Sequence, residues 1–347
     1  MTTACREEDA EGQPLLAPAQ SASDQLAVVL WVLAWMVFSS SQVIFNKWMF
    51  EFGGFPYPLA MTSLHTFACF VIFGTVRRCA PSSIRLTVMP AADVVIPWPI
   101  YFKHVIAISL LYSMTLGAGN LAYLCSTVAF IQMLKPMNVI VTSVCAIALG
   151  MEAPTGTHMI IVCIISFGVF VATFTAAQFS LRGACLQVFA TLCEGLRLVL
   201  MQSLTSAGLR LDPVTTVYHV SFASSVALAV ASIALEKPTD PSTVNTRMLA
   251  LNCFIAVFLN VLIATVIKKT SAVVFTLSGI IKDIGIISAS NVMFHSSVGL
   301  LQAYGYAMAV FGLCMYKAYK DNIEYFKSHG FSKGFSRAAA SLLNRAH

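Results

Sequence analysis

The stretch TVAFIQMLKPMNVIVTSVCAIAL, Thr127–Leu149, decides the fold. Its length is that of a helix crossing a bilayer core, about 20 residues. Its apolar side chains cover all sides of a helix instead of one stripe, which excludes a surface helix on a soluble core. The one charged residue, Lys135, stands near its centre and is followed by Pro136.

Outward from this stretch the same pattern recurs. Apolar runs between charged or Pro/Gly-rich breaks predict ten spans, near 26–45, 56–76, 104–124, 127–149, 158–175, 180–203, 213–235, 247–267, 271–293 and 299–319. Composition agrees: 58% of residues are hydrophobic and 10% charged, against about a quarter charged in soluble domains. The expected fold is therefore an all-α integral membrane protein of ten helices, occupying 26–319. Residues 1–25, with Glu7, Glu8, Asp9 and Glu11, lack the basic start of a cleavable signal and are expected to form a disordered cytosolic tail. Residues 320–347 are expected to form a basic cytosolic tail, and 77–103 and 236–246 to be aqueous loops.

The net charge of +6 does not point to nucleic acid, because the bases sit in connections and the tail without interleaved aromatics. They encode orientation instead. With both termini in the cytosol, that side holds Arg6, Arg77, Arg78, Arg85, Lys103, Arg210, Lys268, Lys269, Lys317, Lys320, Lys327, Lys333, Arg337 and Arg345. The opposite side holds Lys47, Arg182, Lys237 and Arg247, so the asymmetry fits the positive-inside rule. The ten cysteines are scattered without CxxC pairs, which argues against zinc or a disulfide framework.

A weak internal echo divides the spans. Phe55-Pro56-Tyr57-Pro58 leading to His65 is echoed by Leu211-Asp212-Pro213 leading to His219, and each half carries an embedded lysine, Lys135 or Lys282. Two five-helix repeats, about 26–175 and 180–319, are expected, and such repeats place a substrate at their interface near the midplane.

Three bases remain inside the spans: Lys135, Arg197 and Lys282. Each costs at least ~2.5–3.5 kcal/mol to insert and should face the interior. Glu194 lies three residues before Arg197, so a structural ion pair is the default. Lys135 has no acid in its own helix, and an anionic substrate would complete it; a lysine snorkelling or bonding carbonyls freed by Pro136 is the alternative. Lys282 adjoins Asp283, but neighbours point about 100 degrees apart on a helix and need not pair, which leaves functional and structural readings open. Two midplane lysines suit a phosphate or diphosphate. Asn46, Asn120, Gln132, Asn138, Gln202, Ser278, Asn291, Tyr123, Tyr218 and Tyr304 are candidates to line the same site, although each also suits ordinary helix packing. His65 and His219 are either proton carriers or, more simply, polar contacts. No nucleophile constellation, P-loop or dinucleotide loop appears, so neither an enzyme nor an ATP-driven pump is indicated.

Several linked segments carry a resemblance: Phe45-Asn46-Lys47, Phe55-Pro56-Tyr57-Pro58, Asn120 through Tyr123, Ser126 through Lys135, Glu194 to Arg197, Asp212-Pro213, and Lys269-Thr270-Ser271 through Gly279-Ile280-Ile281-Lys282-Asp283. In this order they resemble the nucleotide-sugar and triose-phosphate transporter family of the drug/metabolite transporter superfamily, over about 40–320. The resemblance implies ten helices, a central cavity and exchange by alternating access, with Lys135 and Lys282 at the phosphate. Tyr123, Gln132, Asn46, Tyr218 and Ser278 of that lining, with His219, are the expected substrate contacts, and no cofactor and no metal are expected. Plastid translocators of this family carry Lys-Arg where this chain has Lys282-Asp283, which points to the nucleotide-sugar-like branch of Golgi and endoplasmic-reticulum membranes. The leading expectation is thus an antiporter exchanging a nucleotide sugar, UDP-linked, for a nucleoside monophosphate. The alternative is a sugar-phosphate/phosphate exchanger of triose-phosphate or phosphoenolpyruvate type in a plastid membrane, and more remotely a membrane-embedded transferase or a scaffold. The expected partners are the bilayer and these small anions, not nucleic acid, and a homodimer is compatible with them.

Overall fold

The computed structural model describes residues 22–82, 89, 96–150, 153, 155–176, 179–206, 212–236, 245–270, 272–294 and 298–326. The described residues are helical, with no strand among them. Eight helices are long and apolar enough to cross a membrane. They are α1 (Ala22–Glu51), α2 (Pro58–Cys79), α3 (Trp98–Cys125), α4 (Val128–Ala148), α5 (Gly156–Phe174), α6 (Leu181–Ser206), α7 (Pro213–Leu235) and α8 (Thr246–Lys269). Two further helices, α9 (Ala272–Phe294) and α10 (Leu300–Asp321), complete the bundle. Outward-facing side chains such as Val230, Ile233, Val292 and Leu300 are exposed and apolar, as a lipid-facing surface requires.

Helix starts follow their sequence signals. Thr127 caps α4 by accepting from the Phe130 amide at 3.3 Å. Asp212 caps α7 by accepting from the Val214 and Thr215 amides at 3.0 and 3.1 Å, with Pro213 in the first turn. Close helix contact depends on small residues: a Cβ on Gly168 of α5 would lie 2.5 Å from the Ala309 amide nitrogen of α10.

Several expected boundaries move. The loop expected over 77–103 is shortened at both ends, since α2 runs to Cys79 and α3 begins at Trp98. Lys47, expected just beyond the first span on the non-cytosolic side, is buried within α1, because that helix runs on to Glu51. Glu236, expected in the loop 236–246, instead bonds the start of α2. The C-terminal tail was placed from 320, yet α10 runs to Asp321 and Phe326 is buried against Tyr319, ring centroids 5.6 Å apart. Residues 1–21 and 327–347, which hold most of the two expected tails, lie outside the described residues.

Candidate functional site

The site begins with a break in α4. All seven residues of Val128–Leu134 are buried, making this half-helix a central element of the bundle. Pro136 has no amide hydrogen and its ring obstructs the preceding turn, so the regular ladder stops there. The chain crosses the break through Lys135 N to Gln132 O at 3.2 Å and Asn138 N to Lys135 O at 2.9 Å, and helix resumes at Met137. Lys135 therefore stands at an interruption deep in the protein, and its side chain enters a cavity of about 630 Å³ between α1, α3, α4, α6, α9 and α10.

Lys282 enters the same cavity from α9. Lys135 has no acid in its own helix, but one reaches it from another: Asp283 Oδ1 lies 3.4 Å from Lys135 Nζ. The same oxygen lies 2.9 Å from Lys282 Nζ, so these sequence neighbours do pair. Lys282 also sits 5.8 Å from the centre of the Trp35 ring, a cation–π distance.

Glu194 and Arg197 form the expected ion pair, by Nε to Oε2 at 2.8 Å and Nη2 to Oε1 at 2.5 Å. Arg197 also lies 5.4 Å from the Tyr112 ring centre, while Glu194 borders the cavity. Gln187, Thr191 and Glu194 form a polar stripe on α6 at the i, i+4, i+7 spacing of one helix face, a periodicity present in the sequence although only Glu194 stands out there by its charge. Asn120 and Asn138 line the cavity, and Asn138 Oδ1 is buried with no hydrogen-bond partner among the described residues. Trp35 and Phe275, with ring centroids 4.7 Å apart, form a stacked aromatic wall.

Of the other sequence candidates, Tyr123 lines the cavity. Gln132 does not; it lies behind the wall and donates to the Tyr123 hydroxyl at 3.1 Å. Ser278 is buried away from the cavity, and Tyr306, not the outward-facing Tyr304, supplies the α10 phenol. Asn46 belongs to a separate buried network, accepting from Gln42 at 2.9 Å and Asn252 at 3.0 Å, with His65 bonded to Asn252. Tyr218 and His219 line a second cavity of about 380 Å³ with Phe70, Arg77, Trp98 and Tyr101. The sequence echo between His65 and His219 thus does not put them in one site.

Lys47 is a buried cation that the sequence reading missed, because it falls where the apolar run gives way to Trp48 and Glu51. It donates to the carbonyls of Tyr123 at 2.5 Å and Ser126 at 3.2 Å, closing the end of α3, and pairs with Glu51 at 2.7 Å.

With this geometry in hand, the relatives are informative. A family model described as the Triose-phosphate Transporter family matches residues 26–317. The chain is 32% identical over 298 residues to a probable sugar phosphate/phosphate translocator of Arabidopsis thaliana, covering 84% of this chain and 86% of that one. A second translocator of the same description and organism is 34% identical over 299 residues, covering 84% and 77%. A GDP-mannose transporter of Arabidopsis thaliana is 23% identical over 296 residues, covering 83% and 84%. A match spanning both the broken helix with Lys135 and the α9 lysine means that this chain belongs to the Triose-phosphate Transporter family.

Proposed function

We propose that the chain is an alternating-access exchanger of a sugar phosphate for inorganic phosphate, with the 630 Å³ cavity as its substrate site. The observation that carries this reading is that Lys135 of α4 and Lys282 of α9 enter one cavity and reach the same acceptor oxygen. Two ammoniums aimed at one oxygen are arranged as a phosphate needs them. The uncharged amides and hydroxyls beside them, Asn120, Asn138, Gln187 and Thr191, suit the hydroxyls of a sugar.

Packing supports a ten-span, two-repeat architecture. Exchanging α1–α5 for α6–α10 leaves the pattern of contacts in place: α2 on α7 and α5 on α10 map to themselves, α3 on α6 maps to α1 on α8, and α4 on α6 maps to α1 on α9. The lysine helices α4 and α9 are equivalent under this exchange, which supports a cavity at the interface of two repeats, where alternating access would operate. Both termini then face the cytosol by the distribution of Lys and Arg.

The sequence alone led toward a nucleotide sugar. The descriptions of the similar translocators favour a sugar phosphate, and that becomes the first reading. The nucleotide-sugar reading stays second because of the Trp35–Phe275 wall, an apolar stack on which a base can lie. Purified protein in liposomes preloaded with phosphate, UMP, GMP or nothing, offered labelled sugar phosphates and nucleotide sugars, separates the two. Uptake of sugar phosphates stimulated by internal phosphate supports the first reading. Uptake of a nucleotide sugar stimulated by UMP or GMP, without any effect of phosphate, replaces it with the second.

A further inference from the structure

Exchange of anions through two lysines does not by itself call for an acid between them, yet one is there. Asp283 Oδ1 lies 2.9 Å from Lys282 Nζ and 3.4 Å from Lys135 Nζ, bridging ammoniums from two helices. A phosphate oxygen held by both lysines would occupy the same kind of position. Glu194, the other acid on the cavity wall, is engaged by Arg197 through two hydrogen bonds. Asp283 is therefore the carboxylate paired with both lysines among the described residues.

We propose that Asp283 is a built-in stand-in for the substrate anion: it bridges Lys135 and Lys282 in the empty cavity, yields them when an anion binds, and so allows the unloaded carrier to reorient. The consequence is an activity beyond exchange, namely net one-way movement of the phosphate-bearing anion. The inference rests on the reading of this cavity as the anion site.

The physical argument is one of charge. A carrier that changes its facing must pass through a closed state in which the cavity has little water, and uncompensated ammoniums are strongly disfavoured there. With Asp283 ionised, the three groups sum to one positive charge in the empty cavity, and without it they sum to two. The bridging oxygen also keeps the two like charges from facing each other directly. An exchanger without such a group returns fast only when loaded, whereas this chain has an internal counter-ion for the return. The same contact competes with substrate, since anion and carboxylate claim the same ammoniums.

These two consequences have opposite signs, which makes the role testable. The full-length protein is placed in liposomes with potassium and valinomycin to dissipate voltage, and uptake of labelled inorganic phosphate is read with internal phosphate (exchange) and without it (net). Wild type is expected to show net uptake within about tenfold of exchange, a barrier difference of roughly 1.4 kcal/mol. Asp283→Asn is expected to lower net uptake about tenfold more than it changes exchange, and to bind phosphate more tightly in a detergent thermal-shift titration. Asp283→Glu should restore net uptake, and Asp283→Thr serves as the neutral variant if the amide does not fold. An unchanged ratio of net to exchange uptake in folded Asp283→Asn or Asp283→Thr overturns the proposal, as does wild-type exchange with no net uptake. If wild type moves neither phosphate nor sugar phosphates in either mode, the exchange reading itself falls and takes this one with it.

Discussion

The carboxylate of Glu236 accepts a hydrogen bond from the Leu59 amide at 2.6 Å, tying the last turn of α7 to the first turn of α2. It also accepts from the Ala60 amide at 3.0 Å and from the Ser232 hydroxyl at 2.6 Å. Pro58 heads α2, and the Leu59 and Ala60 amides are among the first-turn donors that the helix cannot satisfy internally. An acid there also complements the positive end of the helix dipole. Glu236→Ala is expected to cost about 1–2 kcal/mol and to lower the melting temperature in detergent, with Glu236→Gln intermediate. A melting temperature unchanged by Glu236→Ala would show that the contact does not hold α2 to α7.

Glu194 and Arg197 make a second stability prediction. Removing one partner leaves a largely buried charge, at about 3–5 kcal/mol, whereas removing both can be close to neutral. Glu194→Gln and Arg197→Gln are each expected to reduce thermal stability and yield, and the double variant to recover part of both. If Arg197→Gln melts like wild type but exchanges nothing, Arg197 is a third cation of the substrate site and not a structural partner.

The α5–α10 contact is tight enough to predict by substitution. A Cβ at Gly168 meets backbone atoms of Ala309, and one at Gly305 meets the backbone of Ala172. Gly168→Leu and Gly305→Leu are expected to abolish folded protein. Gly285→Ala on α9, where a Cβ meets nothing within 4 Å, is expected to be neutral or to stabilise by about 0.5–1 kcal/mol. Monodisperse yield in detergent reads the difference.

Much of the fold was legible in the sequence because a bilayer imposes a length: runs of apolar residues announce the spans directly. Lys135 was legible for the same reason, as a charge that stands out in an apolar field. Its partner was not, since Asp283 is far along the chain and only the packing of α9 on the first half of α4 brings the two together. Lys47 was misassigned because a cation at the end of an apolar run looks like a loop residue until its acceptors, two carbonyls at the end of α3, are seen. His219 was drawn toward the site by the internal echo and Tyr218 as an aromatic, but neither signal specifies which face of the helix turns to the cavity.

Topology has its own check. Tags at Thr2 and His347 are expected to be reachable by antibody after selective permeabilisation of the plasma membrane, because Lys and Arg concentrate on the side assigned to the termini. Protection of one tag but not the other would require an odd number of spans.

The central claim is that Lys135 and Lys282 hold the same anion, and a double-mutant cycle on exchange tests it most directly. Each lysine facing a desolvated phosphate is worth about 2–5 kcal/mol when its partner stays buried, so Lys135→Ala and Lys282→Ala should each nearly eliminate phosphate exchange while leaving folded protein in the membrane. Groups that act on one ligand are not additive, so Lys135→Ala/Lys282→Ala should be little worse than either single variant. Wild-type exchange and apparent affinity in Lys135→Ala, or losses that simply add in the double variant, would contradict a shared site.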